Sequence, residues 1–248
     1  TGSLKIVAIG GGHGLSTALR GLKKVASELT AIVTVADDGG SSGALRRDIG
    51  ILPPGDIRNC LAALSDDEEF LTQVLQYRFP AESSVGGHNL GNLLLTALAN
   101  ITGSFDQGVK ELSRLLSIRG QVLPSTLADI HLVADVETVE NGKITTEKIV
   151  GESLISKRHG RIITLEIQPA NADANPAAIR AILSADLITM GPGSLFTSVL
   201  PNLRVRGIYQ AILATHGKKF YISNVCAQPG ETEGFTCYDH ATIIRDAL

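Results

Sequence analysis

Tryptophan is absent from these 248 residues, aromatic side chains make up only 4%, and there is a single methionine. So few rings argue against stacking platforms for single-stranded nucleic acid. A basic surplus is missing too. The 22 Lys and Arg against 25 Asp and Glu leave a formal charge of −3, which argues against binding a phosphate backbone or an anionic membrane surface. Three cysteines, Cys60, Cys226 and Cys237, form no CxxC or His–Cys cluster. That excludes a disulfide framework and a structural zinc site, and makes a reducing cytoplasm the expected compartment. No apolar run suits a membrane span: the least charged stretch, 88–105, holds three asparagines, a histidine and two glycines. No signal peptide is visible. Thr1-Gly2-Ser3 reads as a cloning scar, and 241–248 reads as a helix cut off without a stop signal, so the natural chain is expected to continue.

What is present is a globular composition, 44% hydrophobic and 19% charged, in one long stretch without repeats or linkers. The expectation is a single nucleotide-binding domain over 1–248. Leu4 to Ile9 is an apolar, β-branched run ending in glycines, the pattern of a buried strand. Leu15 to Leu29 has apolar residues at helical spacing, and Ala31 to Ala36 is again strand-like. This β-α-β opening predicts parallel strands in a doubly wound, mostly parallel, Rossmann-like α/β sheet. From Asp37 to Gly55 no periodicity stands out. Helical patterns over Asp56–Leu64, Glu68–Phe79, Asn89–Ile101 and Phe105–Ile118 then predict a helical insertion at about 56–118. Asn141-Gly142 between apolar runs predicts a β-hairpin with a type I′ turn. Further on, strands are expected at Ile162–Ile167, Leu187–Met190 and Phe220–Val225, with helices at Arg206–Thr215 and at Pro176–Leu183, the latter capped by Asn175.

Position makes the glycine-rich loops informative. "IGGGHGLST" follows the first strand, "ADDGGSSG" the second, "MGPGSLFTS" a later one and "NVCAQPGET" the last. In a parallel sheet all four share the carboxyl edge, where ligands bind. Gly11, Gly12, His13 and Gly14, with Ser16 in the following turn, suit a phosphate at a helix N-terminus. The match to G-x-G-x-x-G is imperfect, because Thr17 stands at the third glycine, and no Gly-Lys-Ser/Thr follows. Gly191, Gly193 and Ser194 repeat the anion-nest logic, with Ser194 able to cap the next helix.

The acidic pair Asp37-Asp38, with Gly39, Ser41 and Ser42, admits three readings. It suits the carboxylate that grips a ribose, a Mg²⁺ site beside phosphates with Asp37 and Asp38 as ligands, or a solvated loop. Arg46 and Arg47 follow as candidate phosphate clamps, with a helix-surface role the equal alternative for either. Asp56 reads by default as an N-cap, with Arg58 and Asn59 able to face the same pocket. Asn89 and Asn92, three apart beside His88, suit recognition of hydroxyls or a base edge, with helix capping by Asn89 as the competing account. No nucleophile paired with a base is evident, so no catalytic residue is assigned.

Seven ordered blocks resemble one family across nearly the whole chain. They are "IGGGHGLSTALRGLK", "VTVADDGGSSG", "LPPGDIRNCLAAL", "GHNLGNLLLTAL", "QVLPSTLADIHLV", "ADLITMGPGSLFTSVLPNL" and "NVCAQPGETEGFT". The resemblance is to the gluconeogenesis-factor (YvcK-type) proteins within the 2-phospho-L-lactate transferase (CofD-like) superfamily. It implies a doubly wound fold that binds a nucleotide diphosphate ligand through Gly11 to Gly14, Asp37, Asp38, Asn89 and the Gly191–Ser194 loop. It further implies a regulator that binds UDP-N-acetylglucosamine or a nicotinamide dinucleotide such as NAD. Such a regulator links carbon supply to cell-wall precursor synthesis and cell shape through protein partners, with a homodimer left open. The transferase relatives imply the alternative, Mg²⁺-dependent transfer of a phospholactyl group from a guanosine diphosphate carrier. An ordinary NAD-dependent dehydrogenase is the third reading, for which no hydride-transfer acid or base is found. The chain departs from the family pattern at His13, Ala44, Phe196 and Phe235.

Overall fold

The computed structural model describes residues 3–140, 143–158 and 160–247. The chain opens with β1 (Lys5–Gly10), α1 (Gly12–Leu22) and β2 (Glu28–Val33). Helices α2 (Gly40–Ile49), α3 (Gly55–Leu64), α4 (Glu68–Gln76), α5 (Leu90–Thr102) and α6 (Phe105–Leu115) follow before β3 (Gln121–Pro124). Next come β4 (His131–Glu140), β5 (Lys143–Val150), a single turn α7 (Glu152–Ile155) and β6 (Arg161–Gln168). The chain then runs through α8 (Pro176–Leu183), β7 (Leu187–Met190) and a π-helical turn Leu195–Val199 leading into α9 (Leu200–Arg204). It ends with α10 (Ile208–Ala214), β8 (Lys218–Tyr221) and α11 (Cys237–Ala247).

Two sheets result. Five strands in the order β3-β2-β1-β7-β8 pair entirely in parallel, and β5-β4-β6 form an antiparallel sheet. From β1 the chain first steps outward through β2 to β3, then returns to place β7 and β8 on the other side. That is the doubly wound pattern, and its direction reverses between β1 and β7. The central strands are apolar because helices cover both faces. Ile6, Ile9, Ile32 and Val33 are buried, and Leu15, Leu19, Ile57, Leu61 and Leu64 from α1 and α3 join the same core.

Several sequence expectations shift. The first helix stops at Leu22, and Leu29 lies in β2. Ser27 ends the turn by pairing its amide and hydroxyl with the backbone of Leu4, which starts the strand. The unpatterned stretch after Asp37 contains helix α2, whose Gly-Ser-Ser-Gly start has poor intrinsic propensity. Burial of Leu45 and Arg46 and the close approach of Gly43 to Asp38 hold it instead. Strand β3 was not anticipated; its four residues are too few for periodicity to register. The fourth helix ends at Gln76 because Arg78 and Phe79 fold back to pair with Asn89 and His88. The last strand is Lys218–Tyr221, not Phe220–Val225. β4 and β5 pair antiparallel through Glu140 and Lys143, while the expected turn residues Asn141-Gly142 lie outside the described residues. Asn175 caps α8 as expected, accepting from the Ala177 amide at 3.0 Å.

Candidate functional site

Because β1, β2, β7 and β8 are parallel, the four unusual loops meet at one sheet edge. A crevice of about 530 Å³ opens there, lined by Gly11, Gly12, His13 and Gly14 on one wall and by Gly193, Ser194 and Ser198 on another. Residues 224–229, after β8, close it. Glycine is required where the loops touch. A Cβ on Gly14 would lie 2.5 Å from the Pro192 carbonyl oxygen, so only a bare backbone lets the β1 and β7 loops meet. Gly12 and Gly193 carry φ of 61° and 143°, conformations that favour glycine.

Buried polar side chains fix these loops. Asn202, fully buried, donates to the carbonyls of Gly10 at 3.0 Å and Ser198 at 2.8 Å, stitching β1 to the π-helical turn. Asn224 holds Gly193 from both sides, accepting its N–H at 3.1 Å and donating to its carbonyl at 2.9 Å. Ser194 does cap the next turn, accepting from the Thr197 amide at 2.9 Å, but its hydroxyl is donated to Glu231. Ser16 is likewise spent on the carbonyl of His13.

The second predicted group lies beside this crevice rather than lining it. Asp37 accepts from the Gly39 amide at 2.8 Å. Asp38 turns away to the small sheet, where one oxygen accepts both the amide and the hydroxyl of Ser153 at 2.8 and 2.6 Å. Ser42 accepts the Gly55 amide at 3.1 Å. His88, Ser41, Asn92 and Arg58 form, in that order, a chain of contacts at 3.0, 3.0 and 2.8 Å. Asn89 stands at the N-cap position of α5 without capping it, donating instead to the Gln76 carbonyl. Gly191 is buried against the Ile222 carbonyl. Arg46 is no phosphate clamp: it is buried in the last turn of α2, bonded to the Ile130 carbonyl and ion-paired with Asp129. Arg47, in that same last turn, is exposed.

These loops are matched in known proteins. The family model of 2-phospho-L-lactate transferase CofD matches residues 6–248. A relative in Nostoc sp. is 54% identical over 98% of this chain, which spans 52% of that protein. The gluconeogenesis factor of Bacillus subtilis is 49% identical over 98% of this chain and 75% of its own length. A crystal structure of a UPF0052 family member from Bacillus halodurans superposes with a TM-score of 0.90 at 46% identity, covering all of this chain and 77% of that one. The chain belongs to the gluconeogenesis-factor family. It spans about half the length of the Nostoc protein and of a relative in Clostridium acetobutylicum.

In this family member the residue that joins the two halves of the site is Asp56. Its place before an apolar helical run suits an N-cap, but α3 starts at Gly55 with Pro54 at the cap position. The carboxylate instead crosses to β1 and accepts the Gly12 amide at 2.7 Å. Burial, aided by Asp37, pushes its pKa up to about 6, while the Gly12 bond, His13 and Arg58 pull the other way. Glu152 and Glu231, both missed from sequence, also face inward. Burial raises both, and Asp37, Asp56, Asp38 and Glu231 add to the rise at Glu152. Glu231 lies in the quoted "NVCAQPGET" loop, but nothing in the pattern around Glu152 marks it. As for a metal, no group of three or more His, Cys, Asp or Glu among the described residues is placed to hold one. Oδ1 of Asp38 accepts both bonds from Ser153, and Oδ1 of Asp37 accepts the Gly39 amide.

Proposed function

We propose that this chain is the nucleotide-binding part of a gluconeogenesis-factor regulator, taking a nucleotide sugar or dinucleotide through its diphosphate. The observation that carries the reading is the apposition of two glycine loops, 11–14 and 191–193, at the point where strand order reverses. Bare backbone at a helix N-terminus on one wall, and a second nest on the other, suit a diphosphate held from two sides. UDP-N-acetylglucosamine and NAD are the ligands to test first, with a protein partner in cell-wall precursor synthesis and a role in cell shape as the downstream output. No helix among the described residues is long and apolar enough to cross a membrane, and the cytoplasm is the proposed location.

Among the described residues the one serine–histidine side-chain hydrogen bond, Ser41 to His88, lies beside the crevice and not in its lining. The test is calorimetric titration of the full-length protein with UDP-N-acetylglucosamine, NAD and GDP. Saturable binding of one of the first two, lost in Gly193→Val, is expected; heat from none of the three rejects the reading. The second reading, a CofD-like transferase, draws on the family model and on the buried carboxyl of Asp56 as a proton acceptor. Turnover of a guanosine diphosphate-linked lactyl donor, lost in Asp56→Asn, would favour it.

A further inference from the structure

A second cavity, of about 780 Å³, is larger than the glycine-loop crevice and shares no lining residue with it. It lies between one end of the antiparallel sheet and α11. Glu137 and Thr138 of β4 and Arg161 of β6 line one side, and Tyr238 and Asp239 of α11 another. Glu231, Glu233 and Phe235, from the loop before α11, form the third. The volume falls within the range of about 300–1,000 Å³ that holds small ligands. Its lining reaches the interior at Glu231, 8% exposed, and Thr138, 6% exposed.

The charges on this lining do not balance. Four carboxyl groups, Glu137, Glu231, Glu233 and Asp239, stand against one guanidinium, Arg161. Among the described residues Arg161 is in no ion pair, and the side chains of Glu137 and Glu233 have no hydrogen bond. Asp239 spends one oxygen on the amide and hydroxyl of Thr236, at 2.7 and 2.6 Å, and keeps the other. Glu231 accepts from the hydroxyl of Ser194 and, at 3.5 Å, from that of Thr197. Burial pushes its pKa up, opposed only by hydroxyl and amide donors with no cation among them. A carboxyl so placed gains most from a positive charge brought to it. Beside these groups the wall is aromatic. The ring of Phe235 is fixed by edge contacts with Phe196 and His240, at centroid distances of 6.1 and 5.7 Å, and Tyr238 stands exposed. A fixed ring next to carboxylates suits a cation with an apolar body.

We propose that this cavity is a binding site for a small organic cation, a protonated amine carried on an apolar or aromatic body. The ammonium group is taken by Glu231, Glu137 and Glu233, and the body by Phe235 and Tyr238. Arg161, exposed at the start of β6, opposes the cation with a single charge and leaves the carboxylates in excess. The site does not require that a nucleotide occupy the 11–14 and 191–193 loops.

The test titrates benzylammonium, benzyl alcohol and benzoate, which share a ring and differ in charge, into the ¹⁵N-labelled full chain at constant ionic strength. Benzylammonium is expected to shift the Gly160 and Gly234 amides, both on the cavity lining, and to saturate with half-saturation at or below about 5 mM. The alcohol and the acid should bind at least about tenfold more weakly. Glu231→Gln should weaken the amine about tenfold, and Glu233→Gln, an exposed change, about threefold. Equal binding of the alcohol would show an apolar hollow with no preference for charge and overturn the proposal. So would an amine shift that fails to saturate, or one that spares Gly160 and Gly234. The comparison of the three probes on the wild-type protein holds even where Glu231→Gln fails to fold.

Discussion

The two sheets of this molecule solve burial in opposite ways. In the five-stranded sheet the inner strands are apolar along both faces, and β1 shows five consecutive buried residues after Lys5. In the three-stranded sheet β5 is exposed at seven of its eight positions, and β6 buries only Ile162, Leu165 and Ile167. The first sheet gives stability and a rigid edge, and every glycine loop of the site grows from that edge. The second is a cover whose contribution to the site is one corner, Gly151 to Ser153, which grips Asp38. Rigidity is concentrated where loops must be held to within a fraction of an ångström, and is spared elsewhere.

The contrast can be broken first in the core. Ile32→Ala, at a site with no exposure, is expected to cost about 3–4 kcal/mol in denaturant unfolding. A loss under about 1 kcal/mol would deny the parallel sheet its role. Next, Asp56 gives the site a pH signature. Its carboxyl is held at about 6 when folded against an ordinary 3.8. The folded state therefore keeps a proton that the unfolded state releases, and stability falls as pH rises from about 4 to 6, by on the order of 2–3 kcal/mol. Asp56→Asn should flatten that slope; an unchanged stability profile across the window would refute the assignment. Gly14→Ala drives a Cβ into Pro192 and is expected to cost about 1–3 kcal/mol and to abolish nucleotide binding, both read by thermal shift. Removing the clasp with Ser153→Ala should cost about 1 kcal/mol and speed amide exchange at Gly39. Smallest of all, Ile144→Ala on the exposed hairpin should change stability by less than about 0.5 kcal/mol.

Legibility in the sequence followed the same division. The parallel sheet could be read because buried strands are continuous apolar runs and its loops carry glycine, a residue with few other reasons to cluster. Gly11 to Gly14 and Gly193 fell together as expected for that reason. What stayed hidden depends on contacts between distant segments. Asp56 looked like a cap because its neighbours in sequence are proline and glycine, whereas its partner, Gly12, is 44 residues away. The partner of Asp38, Ser153, is likewise 115 residues on and invisible to local pattern. Helix α2 was missed because local propensity opposes it and only tertiary packing holds it. Ser16 and Ser194 donate their hydroxyls within the protein, Ser41 pairs with His88, and Ser42 accepts the Gly55 amide, contacts that local sequence does not announce.

The contact between Gly14 and Pro192 has a consequence for redesign. Each loop is the other's mould: a side chain at Gly14 fits only if the backbone at Pro192 and Gly193 moves. Transplanting the β1 loop of a distant relative into this scaffold would therefore fail unless its β7 loop travels with it. Ligand preference in such chimeras will follow the pair, and a library that varies one loop alone will mostly sample misfits.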